Sequence, residues 1–70
     1  MKSELFIMLR DSAQADISKA LLSLDLLSFN AVGIGDHSTT DFYKNAEESL
    51  EMLVDANDRL STLKKYFYYE

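Results

Sequence analysis

The chain has no cysteine, no proline and no tryptophan, only two glycines and a single histidine. Without cysteine no disulfide can cross-link a small fold, and a closed zinc site lacks its usual thiolate and imidazole ligands. Without proline nothing breaks a helix from inside or marks a stiff linker. Glycine is confined to Gly33 and Gly35, so the chain has one natural corner. Long apolar runs are missing as well. None approaches the roughly 18 to 20 residues that span a bilayer, and the apolar core of the opening MKSELFIMLRD is too short for a secretory signal. No membrane association and a cytoplasmic location are therefore expected. Basic residues are in deficit, seven Lys and Arg against twelve Asp and Glu, for a formal charge of −5. Nucleic-acid affinity rests largely on neutralising phosphates, so direct nucleic-acid binding is not expected.

What is present is a hydrophobic fraction of 47% in 70 residues, enough for a folded domain and too little chain for more than one. A domain this short buries only about 60% of the surface its unfolded form exposes, so its core needs a supplement. With disulfides and zinc set aside, oligomerisation is the remaining one.

The stretch AVGIGDHSTTD, residues 31–41, divides the chain into two arms of similar length. In the second arm Tyr43, Ala46, Leu50, Leu53, Asn57, Leu60, Lys64 and Phe67 recur at alternate steps of three and four, the spacing of one helical stripe. Phe42, Val54, Ala56 and Leu63 widen it, and Glu47, Glu48, Glu51, Asp55, Asp58, Arg59 and Lys65 form the solvated face. Thr39 or Thr40 can cap this helix, with Asp41 near its positive end and Lys64 and Lys65 near its negative end. In the first arm Ala13, Ile17, Ala20, Leu24 and Leu27 follow the same spacing, while Leu21, Leu22, Leu26 and Phe29 cover much of the remaining circumference. A helix so widely apolar is not satisfied by one neighbour. The reading is an all-α antiparallel two-helix hairpin: a helix over about 3–29, a loop over about 30–39 and a helix over about 40–68. A break near Asp11, which with Ser12 could start a fresh helix, is the alternative within the first arm.

The corner itself reads as helix-stop and helix-start chemistry. Asn30, Gly33 or Gly35 can adopt the positive φ that ends a helix, Ser38, Thr39 and Thr40 offer cap oxygens, and Val32 and Ile34 would cover the end of the core. The two glycines have no third glycine, P-loop lysine or preceding strand, so they do not make a phosphate cradle. Asp36, His37 and Asp41 are the only metal candidates, in a spacing that matches no zinc or EF-hand pattern. His37 as a general base would need a nucleophile and a concave pocket that a hairpin does not offer, so no enzymatic activity and no cofactor are expected.

The hairpin is expected to pair with a second copy as a dimeric four-helix bundle. If about ten large apolar side chains stayed exposed on a monomer, each would forgo roughly 1.5 to 3 kcal/mol of burial, more in total than the 5 to 15 kcal/mol by which domains are typically stable. The expected interface holds Leu21, Leu22, Leu24, Leu26, Phe29, Leu50, Leu53, Asn57 and Leu60, with Asn57 either in the place where a buried amide sets register or at the stripe's edge in water. Beyond a second copy, the expected partner is another protein, met through exposed Tyr66, Tyr68 and Tyr69 of the terminal KKYFYYE. The expected function is a small acidic interaction or assembly module. Two alternatives stand beside it: an acidic inhibitor that imitates nucleic acid through Glu47, Glu48, Glu51, Asp55 and Asp58, and a metal-binding loop protein.

Overall fold

The structure, a computed structural model, describes residues 1–30 and 38–67. Helix α1 runs Ser3–Asn30 and helix α2 runs Ser38–Tyr66. The roles expected of Val32, Gly33, Ile34 and Gly35 at the corner lie outside the described residues, as do Asp36, His37, Tyr68 and Tyr69. Helix α1 is uninterrupted, so no second helix starts at Asp11 or Ser12. The backbone N–H of Phe6 donates to the Lys2 carbonyl at 3.0 Å, which closes the first turn. Helix α2 begins two residues ahead of Thr40, and Thr40 lies inside its first turn rather than at the cap. At the other end the Phe67 N–H still donates to the Leu63 carbonyl at 3.0 Å, extending the ladder one residue past Tyr66. Asp41 in the first turn and Lys64 and Lys65 in the last oppose the α2 dipole with the right signs.

The two helices pack against each other as an antiparallel hairpin. Arg59, late in α2, reaches Asp16 of α1, and Ser23 and Leu27, late in α1, share a groove with Asn45 and Ser49, early in α2. The result is a rod of 52 × 14 × 13 Å with a radius of gyration of 15.8 Å, against about 11 Å for a compact domain of this length.

Along α1 the seam is made by Phe6, Ala13, Ala20 and Leu27 on one row and Arg10, Ile17 and Leu24 on the next, all buried or half-buried. The five residues read for this stripe from periodicity, Ala13 to Leu27, all lie in it. Along α2 the seam is Phe42, Ser49, Ala56 and Leu63 with Ala46, Leu53 and Leu60. Here the stripe read from the sequence was rotated toward its larger side chains: Tyr43, Leu50, Asn57 and Lys64 are exposed. The physical reason is the close approach of the helices. Ala13, Ala20 and Ala56 are among the few buried side chains, with Phe6 and Leu63 toward the open end. A seam built on alanine and serine brings the backbones together and leaves bulky neighbours on the flanks.

Candidate interaction surface

The seam holds Phe6, Ile17, Leu24, Leu27, Phe42, Leu53, Leu60 and Leu63 beside its alanines and serine, and the remaining large apolar side chains are left outside. On α1 these are Leu5, Met8, Leu9, Leu21, Leu22, Leu26 and Phe29, the last 78% exposed. On α2 they are Tyr43, Leu50, Met52, Val54 and Tyr66. The total accessible surface is 5403 Å², against about 4,450 Å² for a compact monomer of 8.0 kDa. The surplus, roughly 950 Å², is close to the ~800 Å² that one partner contributes to an ordinary protein interface.

Of the residues expected at an interface, Leu21, Leu22, Leu26, Phe29, Leu50 and Asn57 are exposed, whereas Leu24, Leu53 and Leu60 sit half-buried in the seam within the hairpin. Asn57 lies on the α2 flank in contact with solvent. Periodicity placed it on the stripe because it follows Leu50 by seven and precedes Leu60 by three. It is the small side chain of Ala56, one position away, that enters the seam.

Two shallow grooves run along the hairpin. One, of about 370 Å³, is lined by Leu9, Ser12, Asp58, Arg59, Leu63 and Phe67 among others. The second, of about 390 Å³, lies toward the corner between Leu26 and Leu27 of α1 and Glu48, Ser49 and Met52 of α2. Phe67 borders the first groove and remains partly exposed, and Phe6 is the buried aromatic at the open end of the core.

Arg59 is the main polar tie between the helices, and sequence reading placed it only on the solvated face. Its Nη2 donates to Asp16 Oδ2 at 2.6 Å and its Nε to Asp55 Oδ2 at 3.0 Å. The hydrogen bond to Asp16 raises the guanidinium pKa above its already high ordinary value, partial desolvation opposes this, and the bond to Asp55 adds to it. Arg59 therefore carries its charge at any working pH. The Arg59–Asp55 spacing of four was legible in the sequence; the contact with Asp16 depends on the packing of the two helices. Around them, Arg10 pairs with Asp11 at 3.1 Å and Lys19 with Asp16 at 3.9 Å, and no buried side-chain polar atom lacks a partner among the described residues.

The carboxylates Glu47, Glu48, Glu51, Asp55 and Asp58 are all exposed, Glu48 beside the groove shared with Leu26 and Leu27 of α1 and Asp55 and Asp58 beside the one shared with Leu9 and Ser12. Among the described residues no three His, Cys, Asp or Glu lie close enough to hold a metal ion, and Asp41 is exposed in the first turn of α2. No helix among them is long and apolar enough to cross a membrane. Tyr66 is exposed, with the Lys65 ammonium 5.2 Å from its ring centre. Compared with protein families, curated proteins and solved structures, the chain shows no significant match to any family model, protein or structure.

Proposed function

We propose that this protein is a small non-enzymatic interaction or assembly module that works as a homodimer, two hairpins completing a four-helix bundle. The observation that carries the reading is the surplus of surface: the rod exposes about 950 Å² more than a compact chain of its mass, and leucine, methionine and phenylalanine side chains are among those left exposed. At about 25 cal/mol per Å² that area corresponds to about 24 kcal/mol per copy if it were wholly apolar and wholly buried, an upper bound that exceeds the stability of most domains. Sedimentation equilibrium at low micromolar concentration tests it, with twice 8.0 kDa as the expected mass. A compact, fully helical single chain at that concentration overturns the reading.

A second reading concerns what the dimer meets. The outward carboxylates of α2 favour a basic surface on another protein, as an imitator of nucleic acid would present. Capture of a nucleic-acid-binding protein that falls steeply between low and high salt supports it; capture indifferent to salt assigns the contact to an apolar interface instead.

A further inference from the structure

We infer that the second copy docks on the outer face of α1, antiparallel, across a two-fold axis near Ala15. The inference rests on the homodimer part of the reading above and adds the face and the direction; it lays the four helices side by side, with the two copies of α1 at the centre and α2 outermost, in place of a closed four-helix bundle.

Half a turn from the hairpin seam, α1 carries Met8, Ala15, Leu22 and Phe29, with Leu5 and Leu26 beside them, every one exposed and Leu26 also bordering the groove with Met52 of α2. They recur in steps of three and four, and Ser12 and Lys19 complete the series. The matching outer positions of α2 hold Lys44, Glu51, Asp58 and Lys65, so a mainly apolar outer stripe, interrupted by Ser12 and Lys19, belongs to α1 alone. Such a stripe makes α1 a helix with two contact faces, one for α2 and one without an occupant within the chain.

The order of side chains along the stripe indicates the occupant. Outward from Ala15 in either direction comes a polar residue, Ser12 or Lys19, and then two large apolar ones, Met8 and Leu5 or Leu22 and Leu26. A two-fold interface uses one patch on both copies, so the patch must complement itself. Reversed about Ala15, the stripe lays Met8 and Leu5 against the partner's Leu22 and Leu26, and the two Ala15 residues allow the helices to approach closely.

Charge selects the direction. Asp11 and Lys19 lie four residues on either side of Ala15, about 6 Å along the axis. The antiparallel arrangement brings Lys19 level with the partner's Asp11, twice over, and beside the partner's Ser12. A parallel pair in register would instead set Lys19 against the partner's Lys19 inside the contact. Within one chain both groups make only local exposed pairs, and the Asp11 and Lys19 side chains keep 58% and 72% of their surface. Those pairs leave room for a contact across the axis.

The absence of cysteine makes single-thiol cross-linking clean. Met8→Cys and Leu22→Cys chains, one carrying a mass tag, are mixed at low micromolar concentration and oxidised, while the mass of the unaltered protein is followed by sedimentation. Disulfides form only between sites whose Cα atoms come within about 7 Å, so the mixed Met8–Leu22 disulfide should exceed either homodisulfide at least about tenfold. Predominant homodisulfides overturn the antiparallel direction. A dimer that cross-links at neither site, and that keeps its mass in the Leu26→Glu variant, overturns the outer face of α1 and leaves the homodimer standing. A folded monomer overturns both.

Discussion

Alanine decides how close the two helices come. Ala13, Ala20 and Ala56 are at most 1% exposed, and each stands where a larger side chain would force the backbones apart. Ala20→Leu is therefore expected to cost about 1 to 3 kcal/mol, the usual penalty for overpacking, read as a lower urea midpoint at unchanged m-value. A raised midpoint would show that the seam holds spare room. Arg59 has a different weight. Its two carboxylate partners give good geometry, yet all three side chains stay partly exposed, so Arg59→Ala should cost less than about 1 kcal/mol despite breaking the main polar tie across the hairpin. A loss of several kcal/mol would place that network in a far drier environment than its exposure indicates.

Each helix carries its own signals, and they were legible to different degrees. In α1 the seam residues Ala13, Ile17, Ala20, Leu24 and Leu27 are apolar at regular steps, so periodicity located the contact face directly. In α2 the seam includes Ser49 and Ala56, whose weak apolar character loses to Tyr43 and Leu50 in any reading by size. The larger residues win on hydrophobicity and lose on space. Continuity of α1 through Asp11 was the open point in the sequence, because Asp11 and Ser12 look like a cap. Ser12→Pro tests it thermodynamically. In an uninterrupted helix the ring removes the bond to the Met8 carbonyl and costs about 3 kcal/mol or more, whereas proline in the first turn of a fresh helix is well tolerated. Near-normal thermal stability in that variant would mean the helix is divided there in solution.

At the scale of the molecule the governing fact is shape. A 52 Å rod two helices wide has no interior layer, and among its described residues no large side chain is fully buried. Stability then depends on what covers the flanks. If a second copy does so, folding and association are one equilibrium, and the Tm should rise steadily as protein concentration increases from about 1 to 100 μM. A Tm independent of concentration over that range would show that the hairpin stands alone. The surface charge points the same way: α2 turns lysine and carboxylates outward, while the outer stripe of α1 is apolar. Such asymmetry suits a molecule with one side toward a copy of itself and one toward solvent or another protein.

Sequence alone determined two helices of similar length, joined at the one place that holds glycine, with more apolar surface than one hairpin can hide. Those features are local or additive: periodicity, end signals and composition act residue by residue. Which side of α2 faces α1 was decided only by tertiary structure. Close approach of two cylinders favours small side chains at the contact, and so on α2 Ser49 and Ala56 entered the seam where Tyr43 and Leu50 did not. The pairing of Arg59 with Asp16 followed from the same choice, since a contact across 43 positions exists only after the seam has formed.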